Sequence, residues 1–242
     1  MADEHEFRVD LAAALRLAAR FGFHEGICNH FSVMLPGTRD RFLINPWGFH
    51  WAEIRASDLV LADDRGRVIT GMNKIEPTAL FIHAAIHRLH PAATAVLHTH
   101  MPYSTALTVA AGGRLEPVSQ TALRFVDRIA YDDTYNGLAL DDREGERIAA
   151  TMGDKPVAFL ASHGIVVTGA TIAEAFDDLY YLERAAELQV LAAGLGRGFN
   201  AIDPVVIATT AQQMAAECPP QAARHFAALK RLLDRDDPSY AT

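Results

Sequence analysis

The chain predicts a mixed α/β fold in which helices cover both faces of one mixed sheet. Three features lead there. Short apolar segments separated by turn residues crowd the first third, helical stripes alternate with strands through the middle, and an apolar hairpin comes late. With 242 residues, 50% of them hydrophobic, the chain can bury a sizeable core, and residues 1–242 are expected to form one domain. Its core is expected at residues 10–196, with a C-terminal tail at 197–242.

Leu11, Leu15, Ala18 and Ala19 share one helical face, and Gly22 and Gly26 supply a stop, so the first helix spans residues 4–21. Residues 31–35, 41–45, 59–62 and 67–70 follow as short strands of a meander, separated by Pro36-Gly37, Pro46-Trp47-Gly48 and Asp63-Asp64-Arg65-Gly66. Pro77 suits the first turn of a helix whose apolar stripe is Ala79, Ile82, Ile86 and Leu89, ending near Pro91. The apolar run 92–97 is a strand that leads into His98-Thr99-His100. A helix over 102–111, a strand near 128–131 and a helix over 142–152 come next. Residues 157–160 and 165–168 read as a hairpin around His163. Thr171 and Glu174 match a capping box, and Ala175, Leu179, Leu182, Ala186 and Val190 carry a helical stripe to Gly194. In the tail, Pro219-Pro220 is expected to interrupt the chain before a helix over 221–233.

Composition narrows the function. No run of about 18 apolar residues is present to span a bilayer, and the acidic start is unlike a basic secretory leader, so a cytoplasmic protein without membrane contact is expected. The two cysteines, Cys28 and Cys218, are too few for a disulfide framework and lack metal-type spacing. A net charge of -8 offers no basic field for nucleic acid. There is no Gly-x-Ser-x-Gly elbow, and Gly194-Leu195-Gly196-Arg197-Gly198 closes a helix instead of opening one after a strand.

The chemistry-bearing motif is His98-Thr99-His100. Strand side chains alternate between faces, so histidines at i and i+2 project from the same side, close enough to grip one ion. A catalytic centre with an open position needs a third ligand, and His163 in Ala161-Ser162-His163-Gly164 is the candidate. The alternative is a polar strand end with no metal.

Further stretches surround these histidines. They are Cys28-Asn29-His30-Phe31-Ser32, Ile44-Asn45-Pro46-Trp47-Gly48, His83 through His98-Thr99-His100-Met101-Pro102-Tyr103, and Ser162-His163-Gly164 followed by Thr168-Gly169. In order and spacing, residues 10–194 resemble the class II aldolase/adducin family, whose fold is that of the fuculose-phosphate aldolases. The resemblance implies a three-layer α/β/α fold around a mixed, mainly antiparallel sheet. It implies a divalent metal ion held by His98, His100 and His163, zinc first, with manganese or iron as alternatives. It also implies a homotetramer with the site at a subunit boundary, where Tyr131 serves a neighbouring subunit.

Two departures from the sugar-phosphate aldolases shape the expected chemistry. Their catalytic acid lies four residues before the helix histidine, where this chain has Ala79 before His83. Glu76 either takes over the acid/base role or only stabilises the helix N-terminus. The family's Gly-Asn and Ser-Ser phosphate elements are Asn29-His30 and Pro77-Thr78 here, which argues against a phosphorylated substrate. Asn29 and Thr78 are candidate donors to a substrate carboxylate, and Gly48 is a place where substrate can approach backbone. His30 either contacts substrate or is structural. His83 and His87, at i and i+4, form a rival metal pair or a structural one.

The expected function is therefore a metal-dependent lyase, an aldehyde-lyase or carboxy-lyase, acting on a small unphosphorylated hydroxy or oxo acid. Glu76 or Tyr131 moves the proton. An iron-dependent oxygenase on the same site and a non-catalytic, adducin-like interaction module are the alternatives.

Overall fold

A computed structural model describes residues 4–242. The apolar stripe of the first helix becomes α1, Glu4–Phe21, with Leu11, Leu15 and Ala18 buried. The meander follows as β1 (His30–Met34), β2 (Arg41–Ile44), β3 (Val60–Asp63) and β4 (Val68–Thr70), with a 3₁₀ turn at Ala56–Asp58 between β2 and β3. Pro77 opens α2, Pro77–Leu89, where its missing N–H removes no intrahelical bond. Then come β5 (Ala95–Thr99), α3 (Pro102–Val109), α4 (Gln120–Leu123), β6 (Ile129–Asp132), α5 (Asp142–Met152), β7 (Val157–Leu160) and β8 (Gly164–Gly169). The chain ends in α6 (Ile172–Gly194), α7 (Pro204–Asp236) and a 3₁₀ turn at Pro238–Ala241. Thr171 caps α6 by accepting from the Glu174 N–H, which is the N-cap half of the predicted capping box.

The eight strands of the described residues join in one sheet of order β4-β3-β2-β1-β5-β8-β7-β6. Only β6 and β7 run parallel; the other neighbours are antiparallel. The mixed, mainly antiparallel sheet between helices is therefore as expected. Alternation along β5 shows how the layers divide. Ala95 and Leu97 face the core shared with α1, α3, α6 and α7, while Val96 faces the cluster formed with α2 and α5. His98 follows Val96 by two residues and so shares the α2 side.

The structure corrects several boundaries. β1 starts at His30 instead of 31, which puts that histidine on the sheet, and α3 ends at Val109. β5 begins only at Ala95 and stops at Thr99, leaving His100 just past the strand end. The four-residue α4 has no apolar periodicity long enough to be legible.

The largest correction concerns the tail. Pro219 and Pro220 lie inside a continuous 33-residue helix, α7, and do not interrupt it. The carbonyls that lose their helical donors are those of Ala215 and Ala216, both on exposed residues, so the loss does not strand them in the core. Beyond the prolines, buried Ala222, Phe226, Leu229 and Leu233 anchor the helix in the core. A buried ion-pair network ties the same region together. Arg124 meets Asp177 at 2.6 Å and Asp178 at 2.7 Å, and His225 of α7 meets Asp177 at 2.6 Å.

Candidate metal centre

Two antiparallel pairings bring the three predicted ligands together. β5 lies between β1 and β8, with His98 opposite His30 on one side and Thr99 opposite Ile165 on the other. His163 sits in the turn that joins β7 to β8, next to Ser162 at φ 55. The sheet thus delivers His98 and His100 from one strand end and His163 from the adjoining hairpin. Ring centroids are 5.1 Å apart for His98 and His100, 4.8 Å for His98 and His163, and 5.0 Å for His100 and His163. One nitrogen from each ring lies within 4.8 Å of the others.

Hydrogen bonds decide which nitrogen each ring can offer. His98 Nδ1 donates to the Ile165 carbonyl at 2.9 Å, because a carbonyl can only accept. His100 Nδ1 donates to the Glu25 carboxylate at 2.5 Å. In neutral rings both Nε2 atoms are then left with bare lone pairs, the form that a metal binds. His100 Nε2 is indeed buried with no hydrogen-bond partner. Burial and the neighbouring imidazoles hold His98 well below the usual histidine range, and burial, aided by His100, pushes His163 down to about 4. Both rings are thus neutral near pH 7, ready to ligate without first losing a proton. The residues present fit a divalent ion: three converging imidazoles, one with an orphaned buried nitrogen.

Gly164 makes this convergence possible. A Cβ there would lie 2.5 Å from His100 Cδ2 and 2.8 Å from the Thr99 carbonyl oxygen. Only glycine lets the hairpin approach the end of β5 so closely. The loop before β1 completes the frame. Asn29, at φ 78, uses Oδ1 to accept from the Glu25 N–H at 3.0 Å and the His100 N–H at 3.4 Å. Its Nδ2 is buried and unpartnered. The Thr99 hydroxyl donates to the Phe23 carbonyl and pins the strand end to the same loop.

The family model described as Class II Aldolase and Adducin N-terminal domain matches residues 9–190. This chain belongs to that family. Among curated family members, a Caulobacter vibrioides protein provisionally described as aldolase class 2 is 40% identical over 211 residues, 87% of this chain and 79% of its own length. The 4-hydroxy-3-prenylphenylpyruvate oxygenase/4-hydroxy-3-prenylbenzoate synthase of Streptomyces roseochromogenus is 33% identical, covering 84% of this chain and 73% of that protein. Decarboxylase NovR of Streptomyces niveus is 32% identical over 77% of this chain and 69% of its own. Mouse alpha-adducin is 35% identical over 77% of this chain, a match that spans only 26% of the adducin. Among solved structures, an aldolase II superfamily protein from Pseudomonas syringae superposes with a TM-score of 0.94 at 38% identity, covering 100% of this chain and 97% of that one. L-fuculose 1-phosphate aldolase from Glaciozyma antarctica gives a TM-score of 0.85 at 26% identity, covering 98% of this chain and 92% of that one. The family thus includes named aldolases, a decarboxylase, an oxygenase and adducins.

The other residues singled out from the sequence occupy distinct places in this class II aldolase frame. Glu76 is the N-cap of α2: its carboxylate accepts from the Ala79 N–H at 2.8 Å and from the Thr78 hydroxyl. The Thr78 hydroxyl hydrogen is thereby engaged by Glu76. Gly48 lies in an exposed turn at φ +87 with open space around it. Tyr131, on β6, accepts from the Leu115 N–H at 3.2 Å, with the Arg114 guanidinium 4.3 Å above its ring. Burial raises its hydroxyl above the usual tyrosine range. It lines a cleft of about 350 Å³ with Arg114, Ala161 and Ser162, beside the His163 turn. His30 is buried on β1, 4.8 Å ring to ring from His98, with Nδ1 2.8 Å from His83 Nε2.

Sequence reasoning missed Glu25, Gly164 as a spacer, and Tyr135, whose ring lies 6.4 Å from that of His163. It also missed that His83 and His87 reach the sheet through Ser32. The i, i+2 pair His30 and Ser32, opposite apolar Phe31 and Val33, was the available signal for that last contact. Nothing local marks Glu25.

Proposed function

We propose that this protein is a divalent-metal-dependent carbon–carbon lyase, an aldehyde-lyase or carboxy-lyase acting on a small unphosphorylated hydroxy or oxo acid. The observation that carries the reading is the convergence of His98, His100 and His163, with the two strand-end rings turned by Ile165 and Glu25 to present Nε2. When bound there, a divalent ion supplies Lewis-acid polarisation of a substrate carbonyl. Zinc is the proposed ion, and the imidazole donor set also suits iron.

The chain's own residues supply the rest. The orphaned Nδ2 of Asn29 offers a buried donor for a substrate carboxylate next to the His100 backbone. With Glu76 engaged as a helix cap, Tyr131 becomes the favoured proton carrier, presented to a neighbouring subunit of a homotetramer from its cleft beside Ser162. Residues 1–242 act in this scheme as one domain.

The test is metal content and turnover. Purified protein given excess zinc is expected to retain about one ion per chain, and a panel of hydroxy and oxo acids should reveal cleavage or decarboxylation. His98→Ala should abolish both metal and turnover. No retained metal after separate exposure to zinc, manganese and iron(II) would overturn the lyase reading and leave the adducin-like one. The named oxygenase among the relatives supports a second reading on the same centre with iron, recognised by a turnover that stops without dioxygen.

A further inference from the structure

A buried line of side chains runs from the metal centre into the interface between β1 and α2. His30 Nδ1 lies 2.8 Å from His83 Nε2, His83 Nδ1 lies 2.5 Å from Ser32 Oγ, and Ser32 Oγ lies 2.7 Å from His87 Nε2. The line ends where His87 Nδ1 meets the Ala93 carbonyl at 3.0 Å. All four side chains are at most 5% exposed.

The end point fixes the direction of every bond. A carbonyl only accepts, so His87 Nδ1 carries a proton; burial pushes this ring down to about 4, so it is neutral near pH 7 and Nε2 is bare. Ser32 must then donate to His87 Nε2, which leaves the Ser32 oxygen to accept from His83 Nδ1–H. Neutral His83 has a bare Nε2, and His30 Nδ1–H donates to it. Any other arrangement faces two protons or two lone pairs at one contact and leaves a buried polar group unsatisfied.

From this order we infer that His30 is locked in its Nδ1–H tautomer and offers a bare Nε2, a hydrogen-bond acceptor, to a hydroxyl of the substrate at the three-histidine centre. Ser32, His83 and His87 are positioning residues that act through His30. The His30 ring stands 4.8 Å from His98, yet its nitrogen is not among the three that converge as ligands. The inference rests on the metal centre proposed above and specifies its substrate: an acid bearing a free hydroxyl is favoured over one in which that group is absent or methylated.

Nitrogen NMR of protein labelled in its histidine rings, at pH 7.5, tests this. His30 Nε2 is expected to be unprotonated in metal-free protein and to stay outside the metal-bound range after zinc is added. Glycolate added to the zinc-loaded protein should shift His30 Nε2, and acetate should not. Ser32→Ala, by freeing the direction of the line, should move the His30 tautomer ratio tenfold or more toward Nε2–H. A protonated or zinc-bound His30 Nε2 in the wild-type protein would overturn the inference, as would an equal response to the two acids. The wild-type spectra decide even if the variant does not fold. Failure of the metal reading shows separately, as zinc-insensitive nitrogens on His98, His100 and His163.

Discussion

The Glu25 carboxylate and the Gly164 hydrogen are the smallest features on which the metal centre depends. Glu25 holds the His100 ring in the tautomer that exposes Nε2, and partners of this kind are worth roughly 10- to 100-fold in metal affinity. Glu25→Ala should weaken zinc binding by that factor in a competition titration against a chelating dye, while the fold persists. Gly164→Ala should weaken zinc binding at least tenfold and destabilise the protein by about 1–3 kcal/mol, because the new Cβ meets backbone as well as the His100 ring. Buried neutral histidines also set an acid limit. His87 is held at about 4 by burial, whereas the unfolded chain takes up that proton near 6.5. Its contribution to stability is therefore complete above about pH 6.5 and is lost progressively as the pH falls through 4. Urea midpoints of metal-free protein should drop between pH 7.5 and 4.5, and His30, His83 and His98 act in the same direction. At this scale the i, i+2 pair was legible in the sequence because strand alternation is local. Glu25 was not, since its contact with His100 crosses 75 positions of chain.

Single elements carry their own consequences. The N-cap role of Glu76 separates two readings of one residue. Glu76→Ala should cost α2 about 1 kcal/mol in denaturant melts, with zinc affinity unchanged, if capping is its whole function. A loss of turnover far beyond that change in stability would restore it as the acid/base group. Most helices and strands were legible because their apolar periods are intrinsic to short segments: α1 and α6 follow their stripes closely, and α2 follows its stripe as far as Ile86, Leu89 being exposed. α7 was not, because proline rules assume that the freed carbonyls have nowhere to turn, and here they belong to exposed residues.

Across the whole molecule, the strand order β2-β1-β5-β8 is what creates the centre, since it sets the end of β5 between the loop before β1 and the hairpin turn after β7. The Arg124 network secures the far side of that sheet by joining α4, α6 and α7. Arg124→Met should destabilise the protein by about 3–5 kcal/mol in urea titrations, because Asp177 and Asp178 would remain buried with fewer partners. No helix of the described residues is long and apolar enough to cross a membrane. The sequence by itself determined most element types, α4 and the continuous α7 excepted, the sheet between two helical layers, and the three histidines, since periodicity and motif spacing are local properties of the chain. Tertiary structure alone decided the tautomers of those histidines, the glycine contact that admits them and the buried line behind His30. These depend on which distant groups the strand register sets within hydrogen-bond reach, and no local pattern encodes that.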